Sequence, residues 1–151
     1  TVKHTAVKTP SGKVVHKHSI GTVVTAPPRG YKTVVVGKKN YHYHNGVFYT
    51  KSGRRYMTTV APVGARITVL PVGYKKIVVD RANYFYYHGA FYQFNPSLHN
   101  YVVVRPPIGA VITTIPTGYT TKIIRGETIF VVGGFHYRRV WRNGAQVYVV
   151  V

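Results

Sequence analysis

Along this chain the apolar residues come in short β-branched and aromatic runs, broken by glycine, proline or polar residues. No stretch keeps the helical period of about 3.6 residues. Three runs read as strands: Lys32-Thr33-Val34-Val35-Val36, Lys75-Lys76-Ile77-Val78-Val79 and Thr120-Thr121-Lys122-Ile123-Ile124. After each comes a hairpin signal. Asn45-Gly46 lies between Tyr41-His42-Tyr43-His44 and Val47-Phe48-Tyr49-Thr50, and its equivalents are His88-Gly89 and Gly133-Gly134. A two-residue loop of this type needs positive φ at both central positions. It also fixes register. Tyr43 should face Phe48, and His42 should face Tyr49. Tyr86 should face Phe91, and Phe85 should face Tyr92. Phe130 should face Tyr137, and Val131 should face His136. Both faces of the second hairpin are aromatic, so it is either sandwiched between layers or presented to a partner.

These elements recur. Gly21 to Tyr31, Gly64 to Tyr74 and Gly109 to Tyr119 span the same interval, and each closes on a Pro-x-Gly-Tyr tetrad: Pro28–Tyr31, Pro71–Tyr74 and Pro116–Tyr119. Proline fixes φ and glycine supplies a conformation other residues avoid, so each tetrad predicts a tight turn, with Pro second and Gly fourth. Tyr56–Val60, Tyr101–Val104 and Tyr148–Val151 supply one more strand each. The reading is an all-β protein of three tandem modules of short antiparallel strands, meander-like or sandwich-like, with four or five strands apiece. The boundaries are a basic N-terminal arm at 1–17 and modules at 18–60, 61–104 and 105–151. The alternative architecture is an incomplete propeller, since the repeat length also suits a blade.

Composition narrows the chemistry. The 151 residues carry 21 Lys and Arg against 2 acids, Asp80 and Glu127, for a formal net charge of +19. Internal ion pairing cannot balance this charge, so an outside anion or salt must. A two-carboxylate glycosidase, a calcium loop and a carboxylate-held magnesium site all need more acids. The absence of Cys excludes thiol catalysis, disulfides and Cys-ligated zinc. The serines, Ser11, Ser19, Ser52 and Ser97, lack a nucleophile-elbow motif. The expectation is therefore no enzyme, no catalytic residue and no cofactor. His16/His18 and His42/His44 are paired at strand spacing, but they lack companion ligands, so no metal site is expected either. The candidate polyanion-binding residues are the doublets Lys38-Lys39, Arg54-Arg55, Lys75-Lys76 and Arg138-Arg139. With tyrosines between them they would suit an acidic glycan or a nucleic acid.

Both ends of the chain suggest strand addition between copies. Val147, Tyr148, Val149, Val150 and Val151 form a β-prone terminus with no charge or proline to guard it. In the arm, Thr1, Val2, His4, Ala6 and Val7 are the candidate donor residues. The chain starts at Thr1, which fits removal of a secretion signal or trimming. No apolar run is long enough for a membrane helix.

The motifs Tyr41–Tyr49, Tyr101–Val111 and Ile115–Tyr119, with a looser copy at Tyr84–Tyr92, resemble a secreted bacterial family of unknown function with Tyr-, Val- and Gly-rich repeats. The resemblance covers roughly residues 18–151. The third hairpin departs from the pattern at Val131–Tyr137. The resemblance implies export to the periplasm or cell surface and brings no catalytic residues. The leading expectation is a non-enzymatic structural subunit that polymerises with copies of itself by strand addition into an extracellular or cell-surface filament. The alternative is a monomeric secreted or periplasmic module that binds an acidic polymer.

Overall fold

The computed structural model describes residues 6–8, 14–16 and 19–151. All its regular elements are strands. β1 (Ala6–Lys8) and β2 (Val14–His16) pair with each other as a separate two-stranded sheet, with Val7 opposite Val15. Of the candidate donor residues, Ala6 and Val7 therefore have an in-chain strand partner. Thr1, Val2 and His4 lie outside the described residues.

Three five-stranded antiparallel sheets follow. The first contains β3 (Val23–Val24), β4 (Lys32–Val36), β5 (Lys39–His44), β6 (Val47–Ser52) and β7 (Arg55–Thr59). The second contains β8 (Arg66–Ile67), β9 (Lys75–Val79), β10 (Ala82–Tyr87), β11 (Ala90–Asn95) and β12 (Asn100–Val104). The third contains β13 (Val111–Ile112), β14 (Thr120–Ile124), β15 (Glu127–Val132), β16 (Phe135–Arg142) and β17 (Ala145–Val150). In each, four strands form a meander, and the short leading strand lies against the last one. The same main-chain lock closes all three. Gly21, Gly64 and Gly109 donate to the carbonyls of Thr58, Val103 and Val150, whose own N–H groups donate to Thr22, Ala65 and Ala110.

The central hairpins take the expected register at every pair named above. Asn45 and His88 have φ of 41° and 39°, so both central positions are left-handed as the two-residue loop requires. The Pro-x-Gly-Tyr turn is shifted from expectation. Tyr31 donates to the Pro28 carbonyl and Tyr74 to the Pro71 carbonyl, so proline is first and glycine third. Positive φ belongs at that third position in a type II turn, and Gly30 and Gly73 have φ of 82° and 95°.

No sheet owns its core. Val34, Tyr43 and Phe48 of the first sheet pack with Ala65, Ile67, Ala90, Tyr92 and Val103 of the second. Tyr86 and Phe91 leave the opposite face of the second sheet and pack with Ala110, Ile112, Phe130, Val132, Tyr137 and Val150 of the third. Strand alternation sends neighbours such as Ala90 and Phe91 into different cores. The doubly aromatic hairpin is thus sandwiched. The Tyr86 hydroxyl pins the second interface by donating to the Thr114 carbonyl at 2.5 Å.

The stacking is directional. The tip glycine of one hairpin sits under the next unit's proline turn: a Cβ on Gly46 would lie 2.2 Å from the Tyr87 ring and 2.9 Å from Pro71. Gly89 stands in the same relation to Pro116 and Val132, but Gly134 has nothing within 4 Å. The third unit instead reaches back to the lead-in of the first, where Ile20 donates to the Thr117 carbonyl at 2.9 Å. The tip of the third hairpin also meets the first unit, where a Cβ on Gly133 would lie 2.7 Å from Val60.

The two outer faces differ in chemistry from the inner ones. At the positions of Val34 and Ile77 the third sheet has Lys122, and at those of Phe48 and Phe91 it has His136. At the positions of Phe85 and Phe130 the first sheet has His42, and at those of Val103 and Val150 it has Thr58. Thr58 is buried, and its hydroxyl donates to the Ser19 carbonyl and accepts from the Thr22 N–H. Polar substitutions on the outermost faces are how a stack of repeats ends.

Two outcomes follow from this packing. Gly46→Ala should destabilise more than Gly37→Ala in urea unfolding. Both positions have positive φ, costing roughly 1 kcal/mol for an alanine. Only Gly46 adds an overpacking cost of about 1–3 kcal/mol. Equal losses would contradict the contact with Pro71 and Tyr87. The second outcome concerns alkali. Burial raises the phenols of Tyr43, Tyr49, Tyr86, Tyr87, Tyr92 and Tyr137, with Tyr43 pushed up to about 12. Between the ordinary phenol value near 10 and the folded value, the unfolded chain has lost protons that the folded chain keeps, so stability falls as pH rises through that window. Phenolate absorbance from these six should develop together with loss of near-ultraviolet dichroism. Phenolate appearing well before unfolding would contradict the burial.

Candidate polyanion-binding surface

On a strand, adjacent residues point to opposite faces, so the basic doublets within strands are split. Arg139 lies over the Phe130 ring, with its guanidinium 4.9 Å from the centroid. Arg138 points the other way and pairs with Glu127 at 2.9 Å. Lys76 is opposite Phe85, on the face turned toward the first sheet. Lys75, on the other face, lines a cleft of about 590 Å³ with Tyr86, Ile112 and Thr114 between the second and third sheets. Lys38 and Lys39 mark the β4–β5 turn, with the Lys39 ammonium 5.2 Å from the Tyr41 ring. Arg54 and Arg55 mark the exposed β6–β7 turn. The structure therefore does not gather the eight sequence-predicted cations into one site.

It does gather a different set. In each sheet, one face presents a row across the meander at the end away from the central hairpin. In the first sheet the row is Val35, Asn40, Lys51 and Tyr56. In the second it is Val78, Asn83, Phe94 and Tyr101. In the third it is Ile123, Thr128, Arg139 and Tyr148. Residues directly opposite across a ladder share a face, so the first two members of each row stand side by side and so do the last two, while the ladder of the central hairpin ends before it reaches the row. The tyrosines are half-buried and the rest are exposed.

Edge-on aromatic contacts set the rows. Tyr31, His42 and Tyr56 touch in sequence at 4.7 and 5.2 Å. Tyr74, Phe85 and Tyr101 do so at 5.7 and 5.5 Å, and Tyr119, Phe130 and Tyr148 at 5.2 and 5.6 Å. T-shaped pairs of this kind resist rotation and hold the row tyrosine in place. In the second sheet the Phe94 ring lies tilted against Tyr101, with centroids 5.2 Å apart, beside a surface cleft of about 620 Å³.

Among the sequence-predicted cations, Arg139 alone is a row member. Lys51, Asn40, Asn83, Tyr56 and Tyr101 were not singled out as site residues by sequence reasoning, and Tyr148 was singled out only as a candidate for contacts between copies. Aligning the three repeats and extending the hairpin register outward would have found them. Trp141 was also missed. It lies two residues beyond Arg139 on the long strand β16, opposite Gln146, and is 70% exposed. Among the described residues, no cluster of three or more His, Asp or Glu could hold a metal ion.

The C-terminal candidates take a different place from the one expected. β17 is interior, paired with β16 on one side and with β13 on the other through Tyr148 and Val149. Val147 and Val150 are buried, and the Val151 N–H donates to the His136 carbonyl. The expected acceptor edge is filled by the protein's own β13, because the short leading strand of each unit returns to cover the last.

The chain belongs to a family of unknown function, DUF6515, whose family model matches residues 4–151. No curated protein and no solved structure matches it.

Proposed function

We propose that this protein is a non-enzymatic module that binds a linear acidic polymer, working at the cell surface or in the periplasm. The observation that supports this most is the threefold row. Exposed positions carrying an amide or hydroxyl and, in two of three rows, a cation recur together with a half-buried tyrosine on one face of every sheet. A polymer presents the same group repeatedly, and a repeated surface engages it with avidity. The surrounding charge of +19 supplies attraction that two carboxylates cannot neutralise. Arg139 is held by an aromatic ring instead of an acid, so its donors are left for a ligand.

One observation favours strand addition between copies as a second reading. β4, β9 and β14 are edge strands with exposed β-branched residues at matching positions: Val35, Val78 and Ile123. An open edge of this kind accepts another strand. The arm would be the donor, and these edges would replace the C-terminal strand as acceptor.

The two readings respond oppositely to salt. Binding of a fluorescent acidic polymer should weaken steeply between 50 and 200 mM salt, roughly tenfold or more, as expected when several cations release counterions. Affinity unchanged across that range would overturn the polyanion reading. Self-assembly of copies bearing like charge should instead tighten as salt rises. Electron microscopy of the full chain beside a chain lacking residues 1–17 tests the second reading. It requires fibres that disappear with the arm, and fibres of unchanged abundance in the shortened chain would remove the arm as donor.

A further inference from the structure

We infer that the face of the third sheet around Arg139, Trp141, Gln146 and Tyr148 is a sugar-binding subsite for the uronate units of an acidic glycan. This rests on the polymer-binding reading and names its ligand. β16 and β17 form a longer hairpin than their counterparts, pairing continuously from Tyr137–Val150 out to Arg142–Ala145. The extension carries the surface past the row and places Trp141 on the same face as Arg139, roughly 7 Å along the strand. That distance is about the width of one sugar ring.

The chemistry of the patch is mixed. Trp141 offers a broad apolar plane, and at 70% exposure it has no role in the core. Such a plane packs against the C–H face of a pyranose ring. Gln146 lies directly opposite Trp141, and Tyr148 opposite Arg139, so an amide and a phenol flank the plane where ring hydroxyls would fall. Thr128, one residue past the end of the β15–β16 ladder, adds a hydroxyl on the same face. The guanidinium rests on the Phe130 ring at 4.9 Å, which orients it without neutralising it. A planar fork of donors held this way matches a carboxylate bidentately. A neutral sugar would leave the guanidinium unused, and a bare polyphosphate would leave the indole unused. A uronate uses both.

Trp141 is the protein's single tryptophan, so emission excited selectively at tryptophan, beyond the absorbance of the tyrosines, reports this patch alone. The test titrates the full chain with polygalacturonate, a neutral dextran, polyphosphate and single-stranded DNA at 150 mM salt, following Trp141 emission and, separately, bound fraction by anisotropy of labelled protein. Polygalacturonate is expected to shift the emission, dextran to do nothing, and polyphosphate to bind without the shift. Arg139→Gln should weaken polygalacturonate binding roughly tenfold, as for loss of a charge-assisted contact. Lys122→Gln removes the same charge from the opposite face and should weaken it far less. Trp141→Phe, followed by anisotropy, should weaken polygalacturonate and spare polyphosphate. Both sites are exposed, and unchanged thermal melting verifies folding of the variants. Polygalacturonate and polyphosphate binding alike, with Arg139→Gln no worse than Lys122→Gln, would overturn the subsite while leaving polyanion binding intact. A larger emission shift with DNA than with polygalacturonate would also overturn it. Failure of every acidic polymer to bind would overturn the broader reading with it.

Discussion

The structure depends on burial between sheets instead of within them. A single meander of this size has two faces and no interior. Each sheet therefore gains its apolar burial only by lying against the next, and the Pro-x-Gly-Tyr turn seated on the preceding hairpin tip sets the spacing. The buried aromatics Phe48 and Phe91 illustrate the scale. Each is 1% exposed, in a core made by two units, and burying such a side chain contributes about 1.5–3 kcal/mol. The middle sheet contributes to both cores and is the most constrained, which is why its central hairpin carries large side chains on both faces.

Much of this was legible in the sequence, for identifiable reasons. A two-residue turn with Asn-Gly leaves a single register, so the pairing of Tyr43 with Phe48 followed from local chemistry. The repeat was legible because its glycines and prolines occupy backbone positions few other residues can fill. What was not legible was how units face one another. Nothing local to Val147–Val151 shows that a two-residue strand far upstream comes back to cover it. The candidate cations are dispersed, in keeping with their spread along the sequence, and a strand further sends Arg138 to an ion pair on one face and Arg139 to an aromatic ring on the other.

Electrostatics and packing are separated in this molecule. The apolar contacts lie between sheets, while cations occupy turns, edges and the outer ends of the meanders. With Glu127 already engaged by Arg138, the excess charge has little inside the described chain to meet it. The fold supports that charge because the charge is dispersed on surfaces where solvent and counterions screen it. A partner that neutralised several of these groups at once would also relieve their mutual repulsion, so ligand binding and thermal stability should be coupled in the same direction.

The polarised outer faces constrain how a gene of this kind can lengthen. A fourth unit appended after the third would have to bury Lys122 and His136, and one placed before the first would have to bury His42. Duplication of the middle unit meets neither obstacle, because its two sides already match those of its neighbours. Longer members built on this plan would therefore carry conserved termini and a variable number of central copies, with the number of binding rows rising one for one with each insertion.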